Sequence, residues 1–279
     1  MKFVGFKPLF VILALIKESY SFTTRDSFST GSRTTMSAAT ETDDANKVEE
    51  GNLLVSLGDK LDCDATKNMP KLILASQSPR RREILDMMGL REDKQYLVET
   101  SPLDESKLQV ELGKEELTSI EYTRRLAEAK AIALAEAHVA DRKEMGVAYY
   151  LGSDTIVELD ESILEKPKDA DDAKRMLNLL SGRQHHVHTG VALYRLDSTN
   201  QITLVDSFVD TACVTFTDLS DADIDAYIIS GEPMDKAGSY GIQGIGGQFV
   251  KEISGDFFAV MGLPMHRTSK LVAKALQAE

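Results

Sequence analysis

A cluster of cations stands at the start of an expected helix. Residues 74–82 read LASQSPRRR, and the pair Ser78-Pro79 is typical of an N-cap followed by the first helical position. The free N–H groups and the positive dipole end of such a start favour an anion. Arg80 and Arg81 fall in this first turn, where each cation costs roughly 0.3–1 kcal/mol unless the turn binds a polyphosphate. An exposed basic turn with surface ion pairs is the alternative.

A carboxylate stands inside an expected apolar strand. Residues 151–157 read LGSDTIV, and burying Asp154 there is costly unless its carboxylate is paired or binds a metal. Gly152, just before it, permits a close backbone approach or a β-bulge, a feature often found beside active sites. Asp154 is therefore a candidate metal ligand or general base. A strand-end aspartate in a turn fits the same residues.

Glycines concentrate in one late segment of the chain. Six of the 18 glycines fall between residues 231 and 247, a density that permits positive φ and close approach to a ligand. Within this segment Lys236 can reach a phosphate, and Gln243 can read a base edge with both a donor and an acceptor. A flexible linker is the alternative, although a solvated linker is usually more uniformly polar.

Two further features carry weaker signals. Lys166 lies in a turn ahead of an expected helix, where an exposed loop lysine is the simpler interpretation. His185, His186 and His188 form a tight cluster, and alternation along a strand places His186 and His188 on one side. They resemble part of a zinc site, but the sequence offers no evident third ligand. We assign these histidines no catalytic role.

Charge and cysteine content narrow the classes of function. The chain has 279 residues and a formal net charge of −13, which opposes binding to nucleic acid or to an anionic membrane. A small phosphate ester remains compatible where cations converge at one site or a divalent metal accompanies it. Two cysteines in a chain of this length are no disulfide framework.

Residues 1–69 are expected to form an N-terminal extension. A short apolar run at 9–16 suits the core of a secretory signal, and the Ser/Thr-rich stretch after it resembles plastid presequences of algae with complex plastids. A disordered tail, or a true start at Met36, is the alternative. Residues 41–64 are acidic and poor in aromatic residues, which favours a solvated linker. One domain is expected over residues 70–279.

Strand-like and helix-like patterns alternate after residue 70, which favours a mixed α/β sheet. The long helix at 118–140 is expected to share one inner face among Ile120, Leu126, Ala133, Leu134 and Ala137. Helices are also expected at 79–88, 170–180, 221–229 and 265–276. Strands are expected at 72–75, 96–99 and 147–159, the last interrupted at 152–154, with a long hairpin formed by 187–196 and 201–216.

These motifs together resemble the Maf, or septum-formation, family. The resemblance runs from residue 71 to about residue 263 and includes LASQSPRRREIL, LGSDTIVEL, LEKP, LSGRQHHVHTGVAL, SGEPMDKAGSYGIQGIGG and VMGLP in family order. It implies an elongated α/β domain, related to the ITPase-like fold, with a curved mixed sheet and a central cleft. It also implies hydrolysis of a nucleoside triphosphate between the α- and β-phosphates with Mg²⁺ or Mn²⁺.

The resemblance also implies roles for individual residues. Asp154 matches the catalytic aspartate, acting as a base directly or through the metal, and Glu105 matches an acid that shares that metal. Neutralising charge and aligning a water is what phosphoryl transfer requires. The residues matched to phosphate binding are Ser78, Arg80, Arg81, Lys130, Lys166 and Lys236.

The substrate branch rests on fewer positions. Arg80, Thr155 and Gln243 match the specificity positions of the branch that acts on dTTP and UTP. The branch that acts on 7-methyl-GTP usually carries tryptophan and glutamine at the first two positions. Ser153 departs from the alanine usual in the pyrimidine branch. The alternatives are therefore a 7-methyl-GTP pyrophosphatase or a nucleotide-binding regulator of septum formation.

The family resemblance extends to assembly and location. It implies a homodimer and a cytoplasmic location, with a plastid as the alternative because of the presequence-like N-terminus. Neither a nucleic acid nor a membrane is expected as a partner.

Overall fold

A computed structural model describes residues 53–62, 71–141 and 146–278. The expected presequence, the possible start at Met36 and the first part of the acidic linker lie outside the described residues. Within the described ranges, no helix combines the length and the apolar character needed to cross a membrane.

Regular elements cover most of the described chain, and they follow the expected alternation. The helices are α1 (Leu54–Leu57), α2 (Pro79–Met87), α3 (Glu105–Leu112), α4 (Ser119–Asp141), α5 (Ala170–Leu180), α6 (Asp221–Ile229), α7 (Phe257–Met261) and α8 (Met265–Gln277). The strands are β1 (Leu72–Ala75), β2 (Tyr96–Glu99), β3 (Ala148–Leu159), β4 (Ser162–Leu164), β5 (Gln184–Leu196), β6 (Ile202–Phe216) and β7 (Val250–Ser254). Short 3₁₀ turns follow α1 and fill the glycine-rich segment.

The strands of the described chain form one mixed sheet. Its order is β2-β1-β3-β5-β6-β7, with β4 also paired to β3. β1 runs parallel to β2 and β3, whereas the other pairings are antiparallel. The predicted mixed α/β sheet and the long hairpin of β5 and β6 are confirmed.

Helices cover both faces of the sheet, so strand residues are buried on both sides. In β1, Ile73 and Ala75 join a core cluster under α4, while Leu72 and Leu74 join the cluster of α2 and α8 on the other face. A third cluster packs α5 and α6 against the far ends of β3, β5 and β6. Continuous apolar runs such as β1 are what a doubly covered strand requires.

One expected feature of α4 is wrong. Ile120 was expected on the inner face, but its side chain is 49% exposed near the helix start, whereas Leu126 and Leu134 are buried. Glu121 at the same end binds Arg125, which places this turn among surface ion pairs.

β3 is continuous, in contrast to the expected interruption at 152–154. It pairs with β5 without a register shift from Ala148 to Glu158. On its other side, β1 ends opposite Gly152, and the pairing of β3 with β4 starts at Val157, which faces the last residue of β4, Leu164. Between these two points, residues 153–156 have no strand partner on that side among the described elements. The sheet therefore contains a gap whose edge carries Asp154.

The folded part begins earlier than the expected boundary at residue 70. Leu54, Leu57 and Leu61 are buried in the cluster of α2 and α8, and the Leu54 N–H donates to Ser269 Oγ at 2.9 Å. Leucines spaced three and four residues apart share one helical face, so a solvated linker is the wrong prediction for residues 53–62.

We predict that Leu61→Ala lowers the free energy of unfolding by about 2–5 kcal/mol, because it removes a fully buried side chain and leaves a cavity. Urea unfolding followed by circular dichroism measures this change. Val55→Ala is the matched control, since Val55 is 80% exposed and should change stability by no more than about 0.5 kcal/mol. Equal stabilities for the two variants would refute the packing described for residues 53–62.

Candidate active site

A cleft occupies the gap in the sheet. Its walls come from the end of β1, the start of α2, the middle of α4, the open edge of β3 and the glycine-rich segment. All the candidate residues from the sequence meet there, namely Ser78, Arg80, Arg81, Glu105, Lys130, Asp154, Thr155, Lys166, Lys236 and Gln243.

A buried lysine joins the two acidic candidates. Lys130 Nζ on α4 lies 2.6 Å from Asp154 Oδ1 and 2.8 Å from Glu105 Oε2. Burial opposes the charge of Lys130, but Asp154 and Glu105 together raise its pKa above the usual value. Burial likewise opposes ionisation of Glu105, yet Lys130 brings its pKa below the ordinary range. Both groups are therefore charged at neutral pH.

Two glycines allow α4 to come close enough for this contact. A Cβ at Gly152 would lie 2.2 Å from Ala127 O, and one at Gly190 would lie 2.7 Å from Thr123 O. Gly190 is the β5 partner of Asp154. The glycine before Asp154 therefore serves close helix packing rather than a β-bulge.

The start of α2 faces the cleft as expected. Ser78 occupies the N-cap position and Pro79 the first helical position, but the Ser78 side chain makes no capping hydrogen bond. Instead, Ser76 Oγ accepts the Ser78 N–H at 3.1 Å. The Ser78 hydroxyl thus lines the cleft beside helix N–H groups that favour an anion.

Arg81 is held rigidly beneath this helix start. Its guanidinium donates to Gly262 O at 2.8 Å, to Ser76 Oγ at 3.0 Å and to Thr155 Oγ1 at 3.2 Å. Burial lowers the pKa of Arg81 and the charge of Asp154 partly restores it, and a guanidinium remains protonated in proteins. Arg81 therefore supplies a fixed positive charge and ties α2 to the turn after α7.

Arg80 reaches across the cleft to the glycine-rich segment. Its Nη1 lies 3.0 Å from Asp235 Oδ2, and Lys236 Nζ lies 2.6 Å from Asp235 Oδ1. One carboxylate therefore pairs with two of the cations assigned to phosphate. Lys166 lines the same cleft from an exposed position after β4.

The open edge of β3 carries two hydroxyls with different surroundings. Thr155 Oγ1 lines the cleft and lies 2.8 Å from Thr189 Oγ1. Ser153 is fully buried and donates to Gly262 O at 3.0 Å. The serine at position 153 therefore holds the turn after α7 and does not line the cleft.

Glu165 is a carboxylate that the sequence analysis did not assign. It accepts a hydrogen bond from the Tyr122 hydroxyl at 2.8 Å. Burial, followed by the charge of Asp154, raises the pKa of Glu165 to about 7. Only its place next to Lys166 in the LEKP motif pointed to it, because a single carboxylate in a turn-like run has no distinguishing pattern.

The histidine cluster is held by hydrogen bonds within the fold. His185 Nε2 lies 2.9 Å from the Tyr240 hydroxyl, and His188 Nε2 lies 3.0 Å from Glu158 Oε2. His186 stacks on His188, which confirms that these two share one side of β5. Across the described ranges, no group of three or more His, Cys, Asp or Glu side chains has the geometry of a metal site.

We predict that Gly152→Ala disrupts both stability and the site, because its Cβ would overlap the backbone of α4 at Ala127. Separating α4 from β3 also pulls Lys130 away from Asp154. Thermal unfolding should show a Tm several degrees lower, consistent with an overpacking cost of about 1–3 kcal/mol. Gly58→Ala is the control, since its Cβ meets only ordinary contacts at 3.5 Å, and a Tm unchanged by Gly152→Ala contradicts the close approach.

Comparison with known proteins identifies the family of this chain. The family model described as Maf-like protein matches residues 71–275. A relative from Colwellia psychrerythraea is 45% identical over 215 residues, covering 76% of this chain and 92% of the relative. A relative from Shewanella oneidensis is 47% identical over 205 residues, covering 73% and 97%. One from Acholeplasma laidlawii is 41% identical over 206 residues, covering 74% and 95%. Each is named dTTP/UTP pyrophosphatase, and the chain described here belongs to the Maf-like protein family.

Proposed function

We propose that this chain is a nucleoside triphosphate pyrophosphatase that hydrolyses dTTP, UTP and modified pyrimidine nucleotides such as 5-methyl-UTP to the nucleoside monophosphate and pyrophosphate. One water is added across the anhydride between the α- and β-phosphates. Relatives over 40% identical that carry the name dTTP/UTP pyrophosphatase support this proposal.

The observation that carries the proposal is the charge arrangement of the cleft. Asp154 and Glu105 approach one point from β3 and α3, while cations surround that point from separate elements. Preorganised cations stabilise the charge that a leaving pyrophosphate develops. A pure nucleotide-binding regulator requires the cations but not the paired carboxylates. The cationic side chains are Arg80, Arg81, Lys130, Lys166 and Lys236.

The two carboxylates also fit a divalent cation. Both carboxylates bond to the same Lys130 Nζ and therefore lie close to each other, and Mg²⁺ usually binds one or two carboxylates together with substrate phosphates. We propose that Mg²⁺ or Mn²⁺ binds beside the Lys130 ammonium, with Glu105 and Asp154 as its protein ligands. When bound, the cation neutralises phosphate charge. We assign to the Asp154 carboxylate the role of accepting the proton of the attacking water.

The pyrimidine branch is favoured over the 7-methyl-GTP branch. Arg80, Thr155 and Gln243 line the cleft, as specificity residues must. Ser153, which departs from the pyrimidine pattern, is buried outside the lining and bonds Gly262 O. Its hydroxyl therefore bonds the turn after α7 and makes no direct part of the cleft surface.

We also propose, from the family resemblance alone, that the chain forms a homodimer. Its location in the cytoplasm, or in a plastid, depends on N-terminal residues outside the described ranges.

A nucleotide panel tests the reaction and the substrate together. Purified protein with Mg²⁺ should release pyrophosphate from dTTP and UTP faster than from 7-methyl-GTP, because Arg80, Thr155 and Gln243, which line the cleft, match the specificity positions of the pyrimidine branch. Pyrophosphate and monophosphate are quantified separately by chromatography. The opposite ranking overturns the choice of branch, and release of inorganic phosphate instead of pyrophosphate overturns the bond assignment.

We predict that Asp154→Asn lowers kcat for dTTP by about 10²–10⁴-fold, because it removes the carboxylate proposed as general base and keeps the side-chain volume. Circular dichroism and Tm verify that the fold is retained. Asp171→Asn is the control, since Asp171 is an exposed residue in the first turn of α5. Full activity of Asp154→Asn would remove the assigned catalytic role.

A further inference from the structure

The glycine-rich segment is organised around one carboxylate that lies outside the cleft lining. Glu232 Oε1 accepts hydrogen bonds from the Tyr227 hydroxyl at 2.9 Å and from Gly246 N at 3.1 Å. Its Oε2 accepts from Ile245 N at 2.9 Å. Three donors from α6 and from the far end of the segment thus converge on one side chain. A carboxylate with several N–H and O–H donors is strongly held.

The glycines of the segment fit around this carboxylate. A Cβ at Gly244 would lie 2.5 Å from both carboxylate oxygens of Glu232. A Cβ at Gly246 would lie 2.6 Å from the Tyr227 hydroxyl, which also accepts the Gly241 N–H at 3.1 Å. The backbone from 241 to 246 is therefore wrapped closely around Glu232 and Tyr227.

Hydrogen bonds hold the backbone on both sides of Gln243. Gly241 is bonded through Tyr227, and Ile245 and Gly246 are bonded to Glu232 directly. Gln243 itself is exposed and lines the cleft. Gln243 therefore lies on a short arch with one end bonded to the Glu232 carboxylate and the other bonded to the Tyr227 hydroxyl, which itself donates to Glu232.

The same residue also reaches the phosphate end of the cleft. The backbone carbonyl of Glu232 accepts a hydrogen bond from Lys236 Nζ at 2.6 Å. Burial alone would raise the pKa of Glu232, but the N–H groups of Ile245 and Gly246 lower it below the usual value. The carboxylate is therefore charged throughout the neutral range.

We propose that Glu232 is a positioning residue for nucleobase recognition, which holds the arch 241–246 so that Gln243 meets the base of the bound nucleotide. The inference rests on the proposed function. Glu232 touches neither phosphate nor base and acts through the arch. Its loss should therefore weaken contacts to the base while leaving the phosphate cations of α2 and α4 in place.

Glu232→Gln tests this role while preserving the side-chain volume. The amide presents N–H groups to N–H donors, so at least one donor loses its acceptor. We expect KM for dTTP to rise about tenfold, the effect of one lost charge-assisted hydrogen bond, with kcat within about twofold of wild type. Discrimination between UTP and 7-methyl-GTP should fall. Glu252→Gln, an exposed acid on β7, is the matched control and should behave as wild type.

Calorimetric binding of two probes separates positioning from general damage. dTMP carries the base, whereas inorganic pyrophosphate with Mg²⁺ occupies only the phosphate end. Glu232→Gln should weaken dTMP binding about tenfold and leave pyrophosphate binding unchanged. Equal weakening of both probes overturns the proposal, as does unchanged dTMP binding.

Gly244→Ala provides a second route that leaves Glu232 in the chain. The new Cβ would displace the carboxylate from its donors, so this variant should show the same KM and dTMP effects even where Glu232→Gln folds poorly. The double variant should be no worse than either single one, since both remove the same contact. Additive losses contradict the proposal. Failure of the proposed function is a different result: in the nucleotide panel, the wild-type protein itself would then leave dTTP and UTP intact.

Discussion

The close approach of α4 to β3 and β5 is the constraint on which the site depends. Gly152 and Gly190 remove the Cβ atoms that would otherwise overlap the backbone of α4 at Ala127 and Thr123. The Lys130 side chain can then extend from α4 to contact Asp154. A buried ammonium is stable only when carboxylates and hydrogen bonds replace its lost water. The glycines, the lysine and the acids therefore form one interdependent arrangement.

A break in strand pairing makes this arrangement accessible. β1 leaves β3 at Gly152 and β4 joins it at Val157, so the edge between them is open to a ligand. A strand paired with β3 between these two points would occupy the space that forms the cleft. The gap instead exposes the edge to the helix start at Ser78 on one side and to the glycine-rich segment on the other.

The side chains of the cleft carry a charge balance opposite in sign to that of the whole chain. The chain carries a net charge of −13, yet the cleft gathers five basic side chains and three acidic ones. Long-range repulsion of polyanions and local attraction for a small phosphate ester are compatible, because a surface field is screened within about 8–10 Å at ordinary ionic strength. Within the cleft, the paired contacts of Arg80 and Lys236 with Asp235 keep the cations in place.

The sequence by itself determined the elements that carry strong periodicity and capping. The bounds of α5 and α6 were predicted from the residue pattern as the structure has them, and the structure adds that the side chains of Asp169 and Ser220 cap these helices. The ten site residues were also named from the sequence, but their assignment drew on the family motifs. α1, α3, β4, β7 and α7 were missed, since short elements depend on pairing and packing with distant partners.

Only the tertiary structure decided how neighbouring residues divide their roles. Arg80 and Arg81 are adjacent in sequence, but successive helix positions point about 100° apart. One therefore crosses the cleft to Asp235, while the other is buried against Gly262. The leucines of residues 53–62 and the carboxylate of Glu232 likewise acquired their partners from segments far along the chain or folded back on it. Such contacts are set by three-dimensional packing, which no local pattern of residue types contains.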